Sequence, residues 1–117
     1  MNENLWVELN SDIVIARIRG VPTEPVLREC QERILMLLKD TGCRKVLYDA
    51  LELEPPQVED LLVQQKLSDE VRALGLRVAI LVPNTRIAYL ARLAFGQTDH
   101  RVFYNDLASA IRWLTEA

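Results

Sequence analysis

The sequence predicts an α/β domain of order ββαβαβαβα, with a five-stranded, mostly parallel sheet and an antiparallel edge strand. Three observations lead there. Short apolar runs alternate along the chain with longer stretches of helical apolar spacing, which is the pattern of β–α units. The connections are too short for anything but crossovers, and these run right-handed. The first two strand-like runs follow each other with no helix between them, so they pair as a hairpin. At 117 residues the chain has room for one domain, residues 1–117, and no second.

The elements follow in order. Leu5, Val7 and Leu9 alternate with Trp6 and Glu8, the period of an edge strand with one polar face. After a turn at Asn10-Ser11, residues 12–19 place Ile13 and Ile15 on one face and Val14, Ala16 and Ile18 on the other, so this strand is covered on both sides. Thr23 is an expected N-cap and Pro25 suits a first helical turn. Val26, Leu27, Cys30, Ile34, Leu37 and Leu38 then recur at helical spacing up to Gly42. Residues 45–50 make a buried strand and residues 51–56 a loop, since Pro55-Pro56 disfavours helix just before it. A second helix is expected over residues 57–74, with Val58, Leu61, Leu62, Val71 and Leu74 as its buried stripe, Arg72 in its last turn and Gly75 after it.

Residues 76–82 form the most apolar strand. Pro83-Asn84-Thr85 turns into a third helix over residues 86–95, with Gly96 beyond it. Residues 101–104 make a short strand, and Asn105 is expected to cap a last helix with Leu107, Ala110, Ile111 and Leu114 on one face.

Composition narrows the function. The net charge of −3 lacks the basic excess of a nucleic-acid binder. The start Met1-Asn2-Glu3-Asn4 is polar and acidic, unlike a secretory signal, and the longest apolar runs are five residues each, where a membrane span needs about 20. A cytoplasmic protein without a membrane span is expected. Cys30 and Cys43 form no CxxC pair and read as small buried or half-buried thiols. The four glycines all follow a strand or a helix, and neither a Walker A string nor GxGxxG occurs. P-loop NTPases and Rossmann dehydrogenases are therefore not expected. No metal and no cofactor is expected either, because the one His has no ligand partner at metal spacing.

In parallel α/β sheets ligands gather at the carboxyl ends of the strands. Asp49 ends the Val46-Leu47-Tyr48 run, as a phosphoacceptor or general base in one reading and a loop-capping carboxylate in the other. Asn84, Thr85 and Arg86 are ligand or partner candidates; the first two also read as helix caps, and Arg86 suits an anion beside a helix N-terminus. His100, in Gln97-Thr98-Asp99-His100, has no nucleophile elbow or second His to work with. The third helix is apolar nearly all round, which makes Ile87, Leu90, Arg92 and Leu93 interface candidates. Residues 1–75 hold nine bases against fourteen acids, and residues 76–117 five against three. A basic patch of Arg86, Arg92 and Arg101 facing Glu52, Glu54, Glu59 and Asp60 of a neighbouring molecule is one way to use that asymmetry.

The element order, the strand ending in Tyr48-Asp49, the strand Leu76-Arg77-Val78-Ala79-Ile80-Leu81-Val82 and the closing segment from Arg101 to Leu114, with its Trp113-Leu114, resemble a STAS domain. The resemblance is to the SpoIIAA-like branch of small stand-alone bacterial proteins, and it covers about Leu5 to Leu114. It implies a SpoIIAA-like β/α superhelix. It also implies, for the sporulation anti-anti-sigma factors, a serine at the start of the second helix that a partner kinase phosphorylates. Here the matching stretch is Pro55-Pro56-Gln57-Val58, the Asp-Ser-Ser-Gly motif is absent and the nearest hydroxyl is Ser68, so the phospho-switch does not carry over. Related transporter and CRAL-TRIO-type domains imply ligand or lipid contact.

The expectation is a non-catalytic regulatory or protein-interaction module whose partner is a protein, with a homodimer through the third helix as one form. One alternative is a carrier of a small hydrophobic or anionic ligand or a lipid. Another is a small enzyme with Asp49 or His100 as acid/base.

Overall fold

The structure is a computed structural model that describes residues 3–96 and 98–116; Gln97, in the polar stretch before His100, lies outside them. Strands β1 (Leu5–Asn10) and β2 (Ile13–Ile18) form the hairpin, with Ser11 left-handed at φ 60° in its turn. There follow α1 (Glu24–Thr41), β3 (Lys45–Asp49), α2 (Val58–Val71), β4 (Arg77–Val82), α3 (Thr85–Phe95), β5 (His100–Tyr104) and α4 (Leu107–Thr115). The strand order is β1-β2-β3-β4-β5, with β1 antiparallel to β2 and every later pair parallel. The expected element order and sheet are therefore present.

An order in which each strand lies beside its predecessor, joined by right-handed crossovers, puts successive helices on one face. Accordingly α1 and α3 pack with Val14, Ala16, Val46, Val78, Ile80 and Val82 through Cys30, Ile34, Leu38, Ile87, Ala91 and Phe95. On the opposite face α4 sets Ala110 and Leu114 against Ile13, Leu47, Ala79, Leu81 and Phe103. β4 is buried on both sides, and each of Ile80 and Leu81 contributes about 1.5–3 kcal/mol of burial free energy.

Several local expectations are corrected. The second helix stops at Val71, and residues Arg72–Leu74 tighten into a 3-10 turn closed by Gly75 at φ 66°, so Arg72 lies beyond the α-helix. Its buried residues are Leu67 and Ser68; of the expected stripe, Leu61 and Val71 are partly buried against the core, while Val58, Leu62 and Leu74 are exposed. The reason is packing: α2 rests chiefly on α3 and α1 rather than on a strand, so only a narrow strip of it is covered. Leu107 is likewise exposed, at the start of α4. Asn105 does not cap α4: it sits left-handed at φ 47°, and Asp106 accepts from the Ser109 N–H at 3.0 Å. Thr23 takes the N-cap position of α1 through its backbone carbonyl, which accepts from the Leu27 N–H, and its side chain makes no cap bond.

Both cysteines are free thiols. Burial on α1 pushes the Cys30 thiol from 9.0 up to about 12, and burial raises the Tyr48 phenol well above its ordinary value. Above pH 9 the unfolded chain loses a proton from Cys30 that the folded chain keeps, so stability falls as pH rises from there towards 12. The slope for one such group is at most about 1.4 kcal/mol per pH unit. The urea midpoint of unfolding is expected to decline across this window, and Cys30→Ala to flatten its first part. A midpoint that declines equally in both proteins would contradict the assignment.

Candidate functional site

The carboxyl ends of β2 and β3 open into a cavity of about 80 Å³ beneath α2. Its floor is Ala16, Tyr48 and Ile80 on the strands. Leu27 of α1 and Ile87, Leu90, Ala91, Ala94 and Phe95 of α3 form the sides, and Asp60, Leu61 and Gln64 hang from α2. Leu53 and Pro56 in the β3–α2 connection complete the wall. The space exists for two reasons. Ala16, Ala50, Ala91 and Ala94 point only a methyl into a region where the rest of this core carries branched side chains. The roof, α2, is held by its neighbouring helices and does not descend onto the sheet to close the gap.

Three polar residues of the wall differ in their state. Asp49 is 13% exposed and fully engaged: Oδ1 accepts from the Leu51 N–H at 3.1 Å, and Oδ2 from Arg17 Nε at 3.0 Å. It serves as a loop-capping carboxylate with one bond on each oxygen. Tyr48 packs its ring on Phe95, with centroids 4.9 Å apart at 58°. Its hydroxyl makes no hydrogen bond among the described residues, and desolvation keeps it protonated and a donor. Asp60 is half-buried and its carboxylate has no ion pair or hydrogen bond among the described residues.

The other sequence candidates scatter. Asn84 caps α3, its Oδ1 accepting from the Ile87 N–H at 3.0 Å. Thr85 and Arg86 occupy the exposed first turn of α3 and do not line the cavity. Ile87 is buried and Leu90 half-buried, and both line the cavity, whereas Arg92 and Leu93 are exposed. His100 opens β5 at the opposite end of the sheet, beside Val78 rather than Leu81, with Nδ1 2.9 Å from the Thr98 carbonyl. Asp49 pairs with Leu81 at the other end of β4, so the two expected acid/base residues do not meet. Among the described residues no group of three or more His, Cys, Asp or Glu is placed to hold a metal. No helix of the described residues is long and apolar enough to cross a membrane.

Tyr48 and Gln64 are site residues that the sequence reading does not single out, and Asp60 enters it only as one of an acidic group on the surface. The sequence signal that marks them is indirect: alanines at inward positions 16, 91 and 94, opposite one another in the fold. A second feature lies on the outer surface. Val58 and Leu62, one turn apart on α2, and Tyr89 and Leu93, one turn apart on α3, are all exposed. The two helices pack side by side, and Gln65 Nε2 donates to the Leu93 carbonyl at 2.9 Å.

If Asn84 serves α3 as a cap, Asn84→Ala is expected to lower stability by about 1 kcal/mol. Thr85→Ala, one residue on and exposed, is expected to change it by less than about 0.5 kcal/mol. Urea unfolding of the two variants checks this; equal effects would contradict the cap assignment.

No family model matches the sequence, and no curated protein matches it. Solved structures do. The anti-sigma factor antagonist SpoIIAA in its unphosphorylated form is 13% identical over 97% of this chain and 99% of that one, with a TM-score of 0.70. A Moorella thermoacetica RsbS variant is 16% identical over 96% and 95%, with a TM-score of 0.71. An uncharacterised Shewanella loihica protein of the DUF3478 family, described as having a SpoIIAA-like fold, is 20% identical over 94% and 91%, with a TM-score of 0.68. At these identities the likeness is one of fold: this chain has the SpoIIAA-like β/α fold.

Proposed function

We propose that this chain is a non-catalytic regulatory module that works by binding a protein, and that the outer α2–α3 surface is its docking face. The observation that carries the reading is the group of four large apolar side chains, Val58, Leu62, Tyr89 and Leu93, exposed on two adjacent helices. Clustered exposed apolar groups of this kind mark interaction surfaces more often than isolated ones do. The fold is shared with chains described as anti-sigma factor antagonists, and an antagonist acts through another macromolecule.

The binding does not turn on serine phosphorylation at the second helix. Between Asp49 and Leu67 the sequence has no Ser or Thr. Ser68 is buried, and its hydroxyl oxygen accepts from Gln64 Nε2 at 3.1 Å. The partner that best fits the face is a second copy of the chain. Glu59 at the start of α2 and Arg86 and Arg92 on α3 make no ion pair among the described residues, so opposite charges flank the apolar group and are free to cross-pair between copies.

Size-exclusion chromatography with light scattering tests this. The protein at high concentration is expected to run as a dimer, and Leu93→Asp as a folded monomer with an unchanged far-UV circular dichroism spectrum, because the residue is exposed. A strictly monomeric protein, or a dimer indifferent to Leu93→Asp, would overturn self-association through this face.

A further inference from the structure

We propose that the cavity beneath α2 is a binding site for a small primary amine, whose short apolar tail fills the cavity and whose ammonium meets Asp60. The proposal is independent of the docking face, since it concerns the inner side of α2.

Volume sets the tail. At about 30 Å³ per water-sized group, the 80 Å³ cavity takes about three, the size of a propyl or butyl chain. Its floor and sides, from Ala16 and Ile80 to Ala91 and Phe95, hold no charge. A water placed there finds few polar partners, and apolar sites of this kind favour hydrocarbon over water.

Charge sets the head. The polar groups in the wall are mostly acceptors. Asp60 presents an unpaired carboxylate. Gln64 commits one Nε2 N–H to the Ser68 hydroxyl and keeps its carbonyl oxygen as an acceptor and its second N–H as a donor. Asp49 brings a second carboxylate, already neutralised by Arg17 at 3.0 Å. The Tyr48 phenol is a donor along with that second Gln64 N–H, and both donors are uncharged. Of the charged residues in the wall both are acids, so a carboxylate or phosphate head would meet like charge, while an ammonium supplies the three donors these acceptors lack. A lipid or fatty-acid carrier with an anionic head is therefore disfavoured at this site, and a cationic ligand replaces the anionic one that the sequence suggests.

Titration of the ¹⁵N-labelled 117-residue chain with n-butylamine, n-butanol and butanoate at neutral pH is the test. Butylamine is expected to shift the amides of Leu61, Ala91 and Ala94 saturably, and to bind about tenfold more tightly than butanoate. Asp60→Asn is expected to cost butylamine about tenfold in affinity and to leave butanol unchanged. Ala91→Leu fills the cavity and is expected to abolish binding of both. Should Ala91→Leu fail to fold, Asp60→Asn, at the half-exposed rim, decides alone. Butanoate binding as tightly as butylamine, no saturable shift with butylamine, or an affinity indifferent to Asp60→Asn would each overturn the proposal.

Discussion

The double burial of β3 and β4 is the constraint from which the remaining features of this fold follow. Val46, Val78 and Ile80 face one core, and Leu47, Ala79 and Leu81 face the other. Both faces must be covered, because the strands carry no polar side for water. A sheet that adds each parallel strand beside the last sends its crossover helices to a single face. The other face is left to the one helix that is not a crossover, α4, whose Ala110 and Leu114 are fully buried there.

That division decides the character of α2. Helix α1 packs against β1 and β2, and α3 against β4 and β5. The middle helix rests on those two and spans the gap between them. Its fully buried residues are Leu67 and Ser68, Leu61 and Val71 are only partly buried against the core, its inner strip overlooks a cavity, and its outer edge leaves Val58 and Leu62 in solvent. The cavity and the apolar face are thus two sides of one circumstance, a helix supported laterally and not from below. Burial free energy scales with the apolar area removed from water, so a helix seated this way gains less from packing than α1, with its six buried residues.

The strands and their order were legible in the sequence because burial leaves a direct record there. The two-faced apolar run of β2 and the five-residue run in β4 have few other readings. The same record explains how chains of 13–20% identity share the fold: pattern is retained where identity is not. The stripe of α2 held at Leu61 and Val71 and misled at Val58, Leu62 and Leu74, because helical periodicity tells which residues share a face and not whether anything covers it. At α4, adjacent Asn105 and Asp106 are both competent caps, and only the backbone decides: Asn105 turns left-handed and passes the role on. Asp49, Ile87 and Leu90 were visible as candidates from strand-end logic and from the apolar third helix. Tyr48 and Gln64 were not, and Asp60 was visible only as part of an acidic group, because what joins the three is missing volume, and Ala16 and Ala91 look in sequence like any other small core residues. Register also settled what proximity in sequence could not: His100 and Asp49 lie at opposite ends of the sheet.

Native-state hydrogen exchange tests the lateral seating of α2 most directly. The amides of α2 are expected to exchange through a local opening whose free energy lies well below that of β4 and α3, since local stability follows buried apolar contact. Protection of α2 equal to that of β4, lost only in global unfolding, would contradict a helix held from its sides above an unfilled space.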